Sequence, residues 1–335
     1  MRSILMIVGL ALATACHATP KSISPKDPSS PLKLERIIPL PDVAGRIDHL
    51  ALDVAHARLF VAEYGNGTVD EIDLTSGRRL GQVGKLHEPQ GIAYLGRLDQ
   101  FVVACGDGSV HFYAASDRRA VAHLDLGDDA DNVRIDSRNG HVIVGYGGGA
   151  LAIIDPADAR VLSRVSLAGH PEGFRLLGSR AWINIPDRGT IVVADVDSGR
   201  ILSSWSTGMH RLNFPLAINP SGREVVIAYR LPAALQRRDA DTGTVLDTLP
   251  ACGDADDLFL DGDRRYLICG AGHVDVSTSS PPHDADVRVS TAPGARTGLF
   301  SPELEKLFVA VPARGRPAAI WVLAAAGRLH LKDGD

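Results

Sequence analysis

Seven copies of one short pattern constrain this chain more than any other feature. The apolar residue Leu50, in HLALD, recurs as Ile92, Val133, Phe174, Leu216, Leu258 and Leu299. Successive anchors lie 42, 41, 41, 42, 42 and 41 residues apart. Around each, apolar and polar residues alternate as on a half-buried strand. A second apolar run follows, as in RLFVAE, QFVVAC, RAWINI and KLFVAV. Next come turns bearing glycine, at 65–67, 106–108, 147–149 and 187–189, because tight hairpins need positive φ. A third strand ends at turns running from Asp to Gly, at 73–77, 195–199 and 239–243. There the Asp can bond backbone N–H groups and the Gly takes the left-handed position. A weaker fourth strand closes each unit. Such a period predicts an all-β fold: a seven-bladed β-propeller with four antiparallel strands per blade.

The run FVAEYGNGTVDEIDLTSGR resembles the YVTN-type β-propeller repeat, the class of YncE-like bacterial proteins. The resemblance covers residues 32–335. It implies the propeller and an extracytoplasmic bacterial protein, and no particular activity, because a fold does not carry a function by itself.

Residues 1–15 read as a signal peptide: Arg2, then an apolar stretch too short to span a bilayer. Ala13-Thr14-Ala15 before Cys16 reads two ways. It resembles a bacterial lipobox with Ala in place of the usual Leu, which makes Cys16 a lipidated N-terminus. It also suits ordinary cleavage after A-x-A. Both place the protein in the periplasm, or anchored to the outer membrane and facing it. Residues 16–31 have the Pro- and Ser-rich composition of an extended tether with nothing to bury. Residues 32–335 form one propeller domain. KLERIIPL, at 33–40, is expected to complete the last blade as its outer strand and close the ring; RLHLK, at 328–332, is the alternative. Cys252 and Cys269 flank the first two strands of blade 6, where an oxidising compartment permits a disulfide. The alternative is that Cys105, Cys252 and Cys269 are three buried thiols acting as small apolar residues. Asn66-Gly67-Thr68 matches a glycosylation sequon but reads better as turn chemistry.

In a propeller the innermost strands line a central channel, and the residues just before each anchor ring one mouth. Here these include Arg46, Asp48, His49, Glu88, Gln90, Asp131, Asn132, His170, Glu172, Arg211, Asn213, Asp256, Asp257 and Arg296. Blades 3 and 6 carry near-copies of one motif, GDDADNV and CGDADDL. Converging carboxylates hold a hard cation or raise one another's pKa. Asp131, Asn132, Asp256 and Asp257 are therefore the candidate ligands for a divalent cation. Each Asp also has a structural alternative, bonding backbone N–H groups of the adjoining turn. His49 stands out because the inner strand around it is apolar.

The formal net charge of −5 argues against nucleic acid, which calls for a basic face. No Gly-x-Ser-x-Gly elbow, phosphate loop or CxxCH haem motif is present. The expectation is an exported, monomeric binding protein that takes a small ligand or a protein partner at an acidic, His-containing mouth. The rivals are a divalent-metal-dependent lactonase or lyase and an accessory subunit of a periplasmic redox enzyme.

Overall fold

The computed structural model describes residues 20–278 and 287–325. The signal peptide over 1–15, Cys16, the loop over 279–286 and the alternative closing strand over 328–332 lie outside them.

Seven sheets form the ring, six of four antiparallel strands and one of five. Seven apolar clusters alternate with them, one between each pair of neighbouring blades. This explains why the second strands carry a continuous apolar run rather than an alternating one. Arg58–Glu63, for instance, is buried at every residue because each blade is covered on both faces.

The ring closes at blade 7. Leu32–Leu40 pairs antiparallel with Ala318–Ala325 and is the outermost strand of that blade. It brings Ile38 and Leu40 into the cluster between blades 7 and 1. The expected turn chemistry is present: Gly67, Gly77, Gly199 and Gly243 have φ between 68° and 74°. Asp73 Oδ1 accepts the Thr75 N–H at 2.9 Å. Asn66 Nδ2 donates to Thr68 Oγ1 at 2.8 Å, so the sequon side chains serve their own turn.

Two expectations need correction. The tether over 16–31 does bury surface: Lys21–Ile23 pairs parallel with Val287–Ser290 as a fifth strand of blade 6, and Ile23 is buried. Three residues sufficed because the fourth strand of that blade offered an unpaired edge. The seventh anchor is also displaced by one. Leu50 faces Val61 across the hairpin, and in blade 7 the residue facing the matching Val309 is Gly298, not Leu299. A slip of one residue moves a side chain to the other face of a strand. A Cβ at Gly298 would stand 2.4 Å from the Phe308 carbonyl oxygen, so no larger side chain fits.

Blade 1 also holds a buried carboxyl. Glu63 accepts a short hydrogen bond from the Thr68 hydroxyl, while Asp70 takes the guanidinium of Arg79 at 2.6 Å and Gln82 at 2.7 Å. Burial, then repulsion from Asp70, raises Glu63 from 4.5 to about 8. Between those values the folded state binds the extra proton, so stability falls as pH rises through that window and levels off above it. Glu63→Gln should flatten this slope and stabilise the protein above pH 8. Denaturation midpoints from pH 5 to 9 check this, and an unchanged slope in the variant contradicts it.

Candidate functional site

The inner strands approach one another closely at the channel. In blades 2, 3, 5 and 6 the hairpin register shifts just before the anchor. Such bulges re-aim side chains. Gly91 and Gly173 occupy the position directly before the anchor, where a Cβ would lie 1.8 Å from the Asp131 carbonyl oxygen and 2.4 Å from that of Phe214. Glycine at these two points is what lets neighbouring inner strands come so near.

The resulting throat encloses only about 30 Å³, lined by Arg46, Asp48, His49, Asp131, Asn132, Glu172, Asp256 and Asp257 among the expected residues. That is space for one or two waters. Below it the channel widens to a cavity of about 370 Å³ walled by Leu52, Tyr94, Ile135, Phe259 and Leu299. The upper end is polar and the lower end largely apolar.

The other expected residues sit elsewhere. His170 lies at the upper rim, its Nδ1 2.7 Å from the Gly147 carbonyl oxygen. Arg296 is also on the rim, 3.8 Å from Asp256. Gln90 is buried and donates to Asp129 Oδ1 at 2.9 Å, and Glu88 is exposed at positive φ. Arg211 faces away and bonds the Gly208 and His210 carbonyls of its own loop. Asn213 is fully buried and bonds Asn184 Oδ1 and the Thr190 carbonyl, tying blade 5 to blade 4. Both departures follow from the long inner strand of blade 5, Arg211–Ile218, which starts beyond the channel.

The mouth is not acidic on balance. Asp48, Asp131, Glu172, Asp256 and Asp257 stand among Arg46, Arg134, Arg175, Arg230 and Arg296. The sequence reading missed Arg134 and Arg175, which directly follow their anchors, and Arg230, the last residue but one of a second strand. The signal was available: the residue after each anchor is Ala51, Ala93, Arg134, Arg175, Ala217, Phe259 and Leu299, and six of the seven line the lower channel. Two cationic members of an apolar column mark an inward-facing charge.

Most of these charges are paired. Arg46 donates to Asp48 at 2.7 Å. Arg230 bonds Asp256 and the Ala255 carbonyl while its guanidinium lies 4.0 Å over the Phe214 ring. Asp257 Oδ2 accepts the Gly298 N–H at 2.8 Å. Asn132 lends its oxygen to Arg134 and its amide hydrogens to Asp131. The expected cation set of Asp131, Asn132, Asp256 and Asp257 is therefore broken up: half of it is committed to Arg230 and to backbone. Asp131 is gathered instead with His170 and Glu172, whose ligand atoms all lie within 4.8 Å of one another.

Protonation follows burial here. Burial, then repulsion from Glu172 and Asp48, lifts Asp131 well above the usual carboxylate range. Burial, then Asp256 and Asp48, raises Glu172 to about 7. Asp256 rises to about 6, burial outweighing the attraction of Arg230. Burial lowers His49 to about 4 despite Asp257 beside it, so the imidazole is neutral at neutral pH. Burial and the neighbouring Arg175 press Arg134 down to about 9.

Cys252 and Cys269 are joined, with S–S 2.11 Å. Cys105 is buried and unpaired.

No protein-family model matches this chain, and no curated protein matches it in sequence. Its fold is similar to a solved structure of Kuenenia stuttgartiensis hydrazine synthase, with a TM-score of 0.73 over 85% of this chain and 98% of that one. The two are 13% identical. That likeness is one of fold alone.

Proposed function

We propose that this protein is an exported propeller of the YVTN type that works by binding, with its upper face as the binding end. The observation that carries this reading is the size of the throat. Where the polar side chains converge there is room for an ion or a water, not for an enclosed metabolite. What binds from above is then an ion, or a group presented by a protein partner. Exposed apolar side chains beside the mouth favour the partner: Met209 is 75% exposed, Leu231 62% and Leu212 40%, all contributed by blade 5 or the loop leading into it. Scattered exposed leucines are ordinary, but these three are brought to one end of blade 5, where Arg211 faces Leu231 across the hairpin, and such a group beside a polar rim suits an interface. The Cys252–Cys269 bond supports export, because disulfides persist in oxidising compartments. An outer-membrane lipid anchor at Cys16 and a monomeric state belong to the same proposal.

A metal-dependent lactonase or lyase is the second reading, favoured by the Asp131, His170 and Glu172 group. It requires space for a substrate above the ion, and the throat is narrow.

Cross-linking of the purified protein to an envelope extract tests the first reading. Cross-links should concentrate on the loops over 208–213 and 230–233 and disappear in Met209→Glu with Leu231→Glu. Both side chains are exposed, so the variant should fold. Capture that is indifferent to these changes would sink the proposal.

A further inference from the structure

We propose that Asp131, His170 and Glu172 form a binding site for one divalent first-row transition metal ion at the upper end of the channel. This deepens the reading of that end as the binding end and rests on it.

Three observations carry the inference. The first is proximity: one nitrogen and two carboxylate oxygens, drawn from two neighbouring blades, lie within 4.8 Å of one another. Ligand atoms in a tetrahedral zinc shell, bonded at about 2.0–2.2 Å, stand about 3.3–3.6 Å apart, so side-chain movements of roughly 1 Å complete the set.

The second is the imidazole. His170 Nδ1 lies 2.7 Å from the Gly147 carbonyl oxygen, which can only accept, so Nδ1 carries the hydrogen. In the neutral ring Nε2 is then the nitrogen with the free lone pair, and it lies 3.9 Å from Asp129 Oδ2, a third carboxylate beside the proposed set. Fixing one ring nitrogen on a backbone carbonyl is how metal-binding histidines are held in orientation.

The third is charge. Asp48 is paired with Arg46, and Asp256 with Arg230 and Arg296. Among the described residues, Asp131 and Glu172 have no ion-pair partner. Asp131 is nine-tenths buried, and its one hydrogen bond comes from the neutral Asn132 amide. Two adjacent carboxyl groups that no guanidinium pairs suit a dication. The imidazole selects against magnesium and calcium, which prefer oxygen alone, and toward zinc, copper, iron or nickel. Three protein ligands leave a coordination position open toward the mouth, where a water or a partner's side chain can complete the shell.

The full-length protein, stripped with a chelator and titrated with Zn²⁺ alone, should take up one equivalent. Affinity should fall at least tenfold in His170→Ala and in Glu172→Gln, with circular dichroism unchanged. Co²⁺ in place of Zn²⁺ should give visible absorption that His170→Ala shifts or removes. No uptake by the folded wild type overturns the inference, and so does uptake that survives both substitutions. No metal uptake by the wild type, with partner cross-linking intact, would sink this inference and leave the binding reading standing.

Discussion

Arg58→Ala will lower the unfolding free energy by about 3 kcal/mol. The guanidinium sits between blades 1 and 2 and is 11% exposed. It bonds Asp53, Glu71, Asp99 and the Ala115 carbonyl, at 2.9, 3.4, 2.6 and 2.7 Å. Asp53 and Glu71 are each 2% exposed, so truncation strands buried carboxylates. Breaking a fully enclosed pair costs about 3–5 kcal/mol. The lower end applies because Asp99 is half exposed and Arg118 still reaches Glu71 at 2.6 Å. Arg58→Met, which keeps the packing, should cost nearly as much; adding Asp53→Asn should recover part of the loss. Urea denaturation measures all three. A cost under about 1 kcal/mol, the scale of a surface ion pair, would show that the network does not hold the two blades together.

Loss of the Cys252–Cys269 bond will cost about 3 kcal/mol. The bond closes a loop of sequence separation 17 and lies within the apolar cluster between blades 5 and 6. Cross-linking a loop of this length removes conformational freedom from the unfolded chain. Denaturation of Cys252→Ala with Cys269→Ala, and of the wild type with and without reductant, should give the same drop. Cys105 does not confound the test, because burial pushes its thiol up to about 12. Equal midpoints with and without reductant would mean the bond constrains nothing in the unfolded state.

How far the sequence was legible depended on whether a signal was local. A strand anchor is local: its neighbours alternate, its turn needs glycine, and seven copies repeat the lesson. Blade number, strand order and the closing strand Leu32–Leu40 could all be read this way. The one-residue slip at Gly298 arose because a glycine anchor leaves no apolar mark, and Leu299 beside it does. The site was half legible. The lead-in residues of the inner strands did converge on the throat, but Arg134 and Arg175 stand one place after their anchors and Arg230 lies near the end of a second strand, positions that the lead-in pattern does not mark.

Pairing was not legible at all. The column that opens each second strand reads Arg58, Gln100, His141, Arg180, Glu224, Arg264 and Lys306, polar throughout. Nothing local says that Arg58 takes two buried carboxylates while Arg180 meets the exposed Asp241.

The repeat by itself determined a seven-membered ring, because a unit that cannot cover its own faces must be covered by copies of itself. Only the tertiary structure decided which carboxylates in the channel stand opposite a guanidinium and which do not. That choice depends on side chains from different blades meeting across an axis, and distance along the chain carries no record of it.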